Sequence, residues 1–128
     1  MKLPKLSKLE IQILEALWAK GPLPIREIQE SLPDAKRLAY TTVQTMVYRL
    51  ETKAALRRSK KIGNAHIFEA VLSPRAVRGR MIDDLINLFG GGPGLLMAHL
   101  VEAGKLTKDD IAEAEKALLK FEQKGKAK

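Results

Sequence analysis

The stretch Ala39-Tyr40-Thr41-Thr42-Val43-Gln44-Thr45-Met46-Val47-Tyr48-Arg49-Leu50 carries two distinct faces at helical spacing. Val43, Met46, Val47 and Leu50 fall at i, i+3, i+4 and i+7, the stripe that a helix buries. The opposite face reads Thr41, Gln44, Thr45, Tyr48 and Arg49, with Thr42 at its edge. Solvated helix faces are normally written in Glu and Lys. Here β-branched Thr recurs instead, at roughly half a kcal/mol of helix propensity each relative to Ala. Short hydroxyls, one amide and one guanidinium suit a helix pressed against a close, polar partner.

Two helices are expected before this one. Ser7-Lys8-Leu9-Glu10 is a capping box, followed by Leu9, Ile13, Ala16 and Leu17 at helical spacing, with Leu14 and Trp18 widening the apolar stripe. Gly21-Pro22 ends that helix. A short second helix places Ile25, Ile28 and Leu32 on one face and Arg26, Glu27, Gln29 and Glu30 on the other, and Pro33 stops it. The central helix is expected over about 39–54. After Leu56 the period changes to that of a strand. Arg57-Arg58-Ser59-Lys60-Lys61 and His66-Ile67-Phe68-Glu69-Ala70-Val71 flank the turn dipeptide Gly63-Asn64, which reads as a β-hairpin with a basic first strand. Three short helices and a hairpin in this order make a winged helix-turn-helix. The fold class expected is therefore mainly α with a small β-hairpin wing: a winged helix-turn-helix over 1–72 and a C-terminal helical dimerisation region over 73–128.

The charge is concentrated in the same place. The chain has 128 residues and a formal net charge of +8. Between Ala35 and Phe68 lie eight bases (Lys36, Arg37, Arg49, Lys53, Arg57, Arg58, Lys60, Lys61) and one acid, Glu51, a net of +7. A solvated basic face would account for charge alone, but not for charge together with the Thr-rich helix and a basic hairpin. These features point to double-stranded DNA as the partner. The third helix would enter the major groove with Thr41, Thr42, Gln44, Thr45, Tyr48 and Arg49. Arg49 suits guanine or a phosphate, Gln44 suits adenine, and a Thr methyl suits thymine. Lys36 and Arg37 before the helix, and Arg58, Lys60 and Lys61 on the wing, are expected at the sugar–phosphate backbone. Arg57 and Arg58 are adjacent on a strand, so only one of them can face DNA.

The remaining sequence is helical in composition. Ser73-Pro74 opens a fourth helix lined by Val77, Met81, Ile82, Leu85, Ile86 and Phe89. Gly90-Gly91-Gly92 breaks it, a helix follows over 93–103, and Thr107 caps a last helix bearing Ile111, Ala114, Leu118 and Phe121. Three short helices interrupted by glycines make a marginal private core. Met81, Leu85, Leu88, Phe89, Leu96, Leu100, Ile111 and Leu118 are therefore expected in a homodimer interface; the alternative is a helical cap on the chain's own winged domain.

Composition excludes several classes. There is no cysteine, hence no disulfide framework, thiol nucleophile or thiolate metal site. His66 and His99 have no second histidine at ligand spacing, and Asp83-Asp84 and Asp109-Asp110 lack a third ligand, so neither metal nor cofactor is expected. The glycine run follows no strand and lacks the ending of a phosphate loop, and no nucleophile elbow is present, so the chain is not read as an enzyme. No apolar run approaches the roughly 18 residues of a membrane helix, and Met1-Lys2-Leu3-Pro4-Lys5-Leu6-Ser7-Lys8 lacks a signal-peptide core. A soluble, cytoplasmic protein is expected.

The chain resembles the penicillinase-repressor family of winged-helix transcriptional repressors, which control β-lactamase and methicillin-resistance genes. The resemblance rests on Leu6-Ser7-Lys8-Leu9-Glu10 through Leu14-Glu15-Ala16-Leu17-Trp18, on the Ala39–Leu50 helix, on the basic hairpin, and on the Leu88-Phe89-Gly90-Gly91-Gly92 break. It implies a homodimer held by the C-terminal helices, bound to a dyad operator with inverted TACA/TGTA half-sites. Family repressors are commonly inactivated by sensor-triggered proteolysis at an Asn-Phe bond. The pair at the corresponding spacing here is His99-Leu100, a departure that leaves the inactivating protease or sensor unassigned. A copper-responsive branch carries paired cysteines near its C-terminus, which this chain lacks. Two other readings of the residues compete: a winged-helix protein–protein adaptor, and a non-specific architectural DNA binder.

Overall fold

Ser7 and Glu10 cap each other: the Ser7 N–H donates to the Glu10 carboxylate at 2.9 Å and the Glu10 N–H to the Ser7 hydroxyl at 3.2 Å. This box starts α1 (Lys8–Lys20), which ends where Gly21, at φ 83°, donates its N–H to the Leu17 carbonyl. The computed structural model describes residues 3–126 except residue 91, so the centre of the expected glycine break lies outside the described residues. After α1 come β1 (Leu23–Pro24), α2 (Ile25–Ser31), a 3-10 turn (Ala35–Arg37) and α3 (Tyr40–Thr52). β2 (Leu56–Ile62) and β3 (Ala65–Ala70) form the hairpin, followed by α4 (Pro74–Leu88), α5 (Pro93–Glu102) and α6 (Lys108–Lys126). The hairpin and the helix order agree with the expected winged helix-turn-helix.

Two elements were not anticipated. β1 pairs with β3, Leu23 opposite Phe68 and Pro24 opposite Ile67, giving a three-stranded antiparallel sheet in the order β1-β3-β2. A two-residue strand is too short for any alternation to announce it. Its Pro24 also serves as the residue before α2, which a breaker reading assigns to loop. The 3-10 turn carries Lys36 and Arg37 and is followed by Leu38, whose carbonyl accepts from the Gln29 amide at 2.9 Å.

The chain forms two compact units, Met1–Met81 and Ile82–Lys128, so the division falls inside α4 rather than at its start. Trp18 and Val77 explain why the first half of α4 belongs with the winged unit. The Trp18 indole donates to the Leu72 carbonyl at 2.9 Å, and Val77 is buried in the winged unit's core. That core joins Ile13, Leu14 and Leu17 of α1, Ile25 and Ile28 of α2, and Val43, Val47 and Leu50 of α3 to Leu56 and Phe68 of the sheet. Trp18, read as core, packs at its rim. In the second unit Thr107 and Asp110 form a reciprocal cap on α6, and the Thr107 hydrogen bonds hold the Asp110 carboxyl below its ordinary range. Among the described residues from Ile82 onward, none is buried.

The exit from α3 is built tightly. Ala54 takes φ 60°, the Ala54 N–H donates to the Glu51 carbonyl, and the Ala55 N–H to the Leu50 carbonyl. This is the Schellman arrangement that glycine usually completes. The same bonds recur after α5, where Gly104 at φ 71° occupies the equivalent position. The Ala55 carbonyl then accepts from both Val71 and Leu72, tying the entrance of the wing to its exit. Ala in this conformation costs about 1–2 kcal/mol, of which glycine's extra unfolded-state freedom would offset about 0.4–1. Ala54→Gly is therefore expected to raise the melting temperature by a few degrees in a thermal melt; an unchanged or lower value would show that the turn carries no strain.

Glu10 is the one buried charged side chain among the described residues, 3% exposed. Burial pushes its carboxyl up, but the Lys53 ammonium at 2.8 Å and the Ser7 hydrogen bonds outweigh it and hold the group below its ordinary 4.5. A depressed carboxyl adds stability that is present above the unfolded value and lost as pH falls through the folded one. The urea midpoint is expected to drop from pH 6 toward pH 3, and Glu10→Gln should flatten part of that dependence while lowering stability by about 1–2 kcal/mol at pH 7. A Gln variant with wild-type acid sensitivity would assign the dependence to other groups.

Candidate nucleic-acid interface

The buried face of α3 sets what the opposite face can do. Val43, Val47 and Leu50 have no exposure at all, and Met46 is half-buried against the same core. The rest of the helix is thereby turned outward: Tyr40, Thr41, Thr42, Thr45, Tyr48 and Arg49 are exposed and Gln44 half-exposed. Every residue expected to read bases therefore lies on one accessible surface. Its side chains are partly preset. The Gln44 amide donates to the Tyr48 hydroxyl at 3.2 Å, and the Thr45 hydroxyl donates back to the Thr41 carbonyl at 2.9 Å.

Tyr40 belongs to this surface although the expected set omitted it. It lies at i−4 from Gln44 and i−8 from Tyr48, so helical periodicity alone places it on the same stripe. Tyr40, Gln44 and Tyr48 form one wall of a groove of about 640 Å³, whose other walls come from Arg26 at the start of α2 and from Ile62, His66 and Phe68 of the wing. The Arg26 guanidinium carbon lies 5.8 Å from the centre of the Tyr40 ring, within cation–π reach. On the other flank, Thr45, Tyr48, Arg49, Thr52 and Lys53 line a shallower hollow of about 360 Å³. The accessible face of α3 thus stands between two depressions.

The wing does not present its cations in one row. Arg57 lies opposite Glu69 and Arg58 opposite Phe68, so the two arginines point to opposite faces as expected. Between Arg58 and Lys60 the register slips at Ser59, whose hydroxyl donates to the Ile67 carbonyl at 3.3 Å. An extra residue reverses the alternation beyond it. Lys60 consequently falls opposite Ile67, on the face of Arg57, and Lys61 opposite His66, on the face of Arg58. At the tip, Ile62 and Ala65 flank Gly63 at φ 60°, the positive φ that a two-residue hairpin turn requires.

The basic stretch divides into engaged and unengaged groups. Lys53 donates to Glu10 and to the Lys5 carbonyl at 2.9 Å, Arg57 pairs with Glu69 at 2.7 Å, and Arg58 pairs with Glu51 at 2.8 Å. Lys36, Arg37, Arg49, Lys60 and Lys61 are exposed and have no ion pair among the described residues. The Glu51–Arg58 contact was not foreseen, although Glu51 stands out as the single acid in a strongly basic stretch. No cluster of metal-ligating residues occurs among the described residues, and no helix among them is long and apolar enough to cross a membrane.

A helix-turn-helix whose second helix presents a polar face beside a basic hairpin defines a winged-helix protein. Residues 6–120 match the family model described as penicillinase repressor, and the chain belongs to that family. It is 30% identical over 124 residues to the transcriptional regulator BlaI of Mycobacterium tuberculosis, an alignment spanning 94% of this chain and 88% of the relative. The solution structure of the DNA-binding domain of the repressor BlaI matches 57% of this chain and 88% of its own length, with 25% identity and a TM-score of 0.50. A transcriptional regulator from Thermotoga maritima shares the fold over 93% of this chain and 77% of its own, at 19% identity and a TM-score of 0.51. The chain is thus a BlaI-like transcriptional repressor and not an enzyme.

The exposed threonines of α3 weaken the helix that bears them. Thr42→Ala and Thr45→Ala are each expected to raise stability by roughly half a kcal/mol, read as a higher urea midpoint. A loss of stability in either variant would mean that the hydroxyl is structural.

Proposed function

We propose that the chain is a sequence-specific DNA-binding repressor that acts in the cytoplasm as a homodimer on a dyad operator. The observation that carries this reading is the accessible face of α3: Thr41, Thr42, Gln44, Thr45, Tyr48 and Arg49 on one surface, on a helix anchored from the other side by the buried Val43, Val47 and Leu50. Each protomer would set this face into the major groove of one half-site, where Gln44 and Arg49 have bidentate geometries suited to adenine and guanine. Lys36 and Arg37 ahead of α3, and Lys61, which shares the α3-facing side of the wing with Arg58 and His66, would hold the phosphates and supply affinity without sequence preference, while Lys60 lies on the opposite side of the wing. The related BlaI carries a DNA-binding domain of the same fold, which supports the assignment. The family resemblance suggests TACA/TGTA half-sites.

The dimer is inferred from the apolar side chains of α4, α5 and α6. Leu88 is 83% and Phe121 76% exposed, and Met81, Leu85, Phe89, Ile111 and Leu118 are also exposed, with Leu96 and Leu100 half-buried. Apolar side chains in this number have no place on a solvated helical tail. A second copy of this helical region would cover them and join two copies of the winged unit Met1–Met81. Linking two readers makes the second contact intramolecular and raises affinity without new chemistry.

Fluorescence anisotropy tests the DNA reading, using a labelled duplex with inverted TACA/TGTA half-sites and a base-shuffled duplex of equal length. A preference of about a thousandfold near physiological salt is expected. Equal salt-sensitive binding would favour an architectural protein, and no binding would favour an adaptor. Arg49→Ala should cost about 1–3 kcal/mol on the preferred duplex and much less on the shuffled one. Sedimentation tests the dimer: Leu118→Asp should shift the protein from dimer to monomer and weaken operator binding by about a hundredfold. A monomeric wild-type protein would overturn the dimer reading.

A further inference from the structure

The Arg58 cation, at the junction of the wing and α3, is engaged within the protein. The Arg58 Nε donates to one Glu51 oxygen at 2.8 Å, and an Nη reaches the other at 3.4 Å. The guanidinium carbon lies 5.5 Å from the centre of the Tyr48 ring and 5.6 Å from that of Phe68. Glu51 and Tyr48 both belong to α3, Phe68 lies on β3 across from Arg58, and Arg58 belongs to β2. One planar group therefore touches the recognition helix at two points and the sheet at a third. Glu51 is the sole acid between Ala35 and Phe68. An unpaired carboxylate on a phosphate-facing surface would repel DNA, so its pairing with Arg58 is a feature to explain.

We propose that Arg58 is a positioning residue for operator recognition: with Glu51 it locks the wing to α3 and fixes the Tyr48 ring, whose hydroxyl in turn holds the Gln44 amide. This inference rests on the DNA-binding reading above and assigns specificity to a residue that touches no DNA. The path is continuous: the Arg58 guanidinium lies over the Tyr48 ring at cation–π distance, and Tyr48 accepts the Gln44 hydrogen bond at 3.2 Å. Gln44 is the residue whose amide suits adenine. Arg is required rather than Lys because the guanidinium reaches both Glu51 oxygens while lying over two aromatic rings, and a lysine ammonium cannot make the two-point grip. Lys61, exposed on the same side of the wing and without an ion pair among the described residues, remains to meet phosphate.

Salt series on the preferred and shuffled duplexes, with wild type, Arg58→Ala, Arg58→Lys, Glu51→Gln and Lys61→Ala, test the proposal. Lys61→Ala should reduce the steepness of log K against log salt by about 0.9, the signature of one lost phosphate contact. Arg58→Ala and Arg58→Lys should both lose about tenfold on the preferred duplex, keep the wild-type slope, and change little on the shuffled one. Glu51→Gln should lose preference in the same way, although it removes a negative charge. The proposal is overturned if Arg58→Lys restores wild-type binding while Arg58→Ala loses slope, which is phosphate contact. It is equally overturned if Glu51→Gln tightens binding to both duplexes, or if Arg58→Ala binds as wild type. A wild-type protein with no salt-sensitive duplex binding would instead remove the DNA reading itself.

Discussion

The Glu10 carboxylate is the constraint on which the winged unit depends. It is buried, it completes the cap that starts α1, and it receives the ammonium of Lys53 at the end of α3. Burying a lone carboxylate is costly, and removing its partner strands a charge. The beginning of one helix and the end of another are therefore held at one point. Lys53 also donates to the Lys5 carbonyl, which draws in the segment ahead of α1. One residue later the chain turns through Ala54, and Ala55 pins both ends of the wing. The orientation of α3, the departure of the wing and the approach of the N-terminal segment all originate within a few residues of this ion pair.

That arrangement changes the meaning of the charge. A count of bases treats Lys53, Arg57 and Arg58 as equal to Lys36, Arg49 and Lys60. The structure gives the first three carboxylate partners and leaves the others without one among the described residues. Exposed pairs contribute little to stability, about 0–1 kcal/mol, so Arg57–Glu69 and Arg58–Glu51 matter for geometry. The first spans the two strands of the wing. The second spans the wing and α3.

The sequence was most legible where periodicity and capping speak with one voice. Ser7 with Glu10, Ser73 with Pro74, and Thr107 with the acids after it mark helix starts through chemistry that is local to three or four residues, and each cap is observed. The buried stripe of α3 was readable for the same reason. What stayed hidden depends on contacts between distant residues. Lys53 meets Glu10 across 43 positions, and no local pattern distinguishes it from Lys60. The slip at Ser59 reverses which lysine faces which side, and a run of five polar residues gives no alternation from which a slip could be read. The Arg58–Glu51 pair joins β2 to α3, a contact that the hairpin pattern by itself does not contain. The boundary inside α4 was illegible because only tertiary packing of Val77 and Leu72 assigns the helix's first half to the winged unit.

Helix α3 shows how such a surface is sustained. Thr41, Thr42, Thr45 and Thr52 on its outer side cost roughly half a kcal/mol each. On its inner side Val43, Val47 and Leu50 are completely buried, at about 1.5–3 kcal/mol each. The inner face outweighs the outer by several-fold, so the helix holds its place whatever the outer side chains are. Burial thus separates two tasks that share one segment: the core decides that residues 40–52 form a helix and how it is turned, and the outer residues are released from any duty to stabilise it. A partner-facing surface written in weak helix formers is affordable only on an element anchored this firmly. The same reasoning explains why Arg58 and Glu51 sit at its C-terminal end: with the helix fixed by its core, the remaining freedom to be removed is that of the wing beside it.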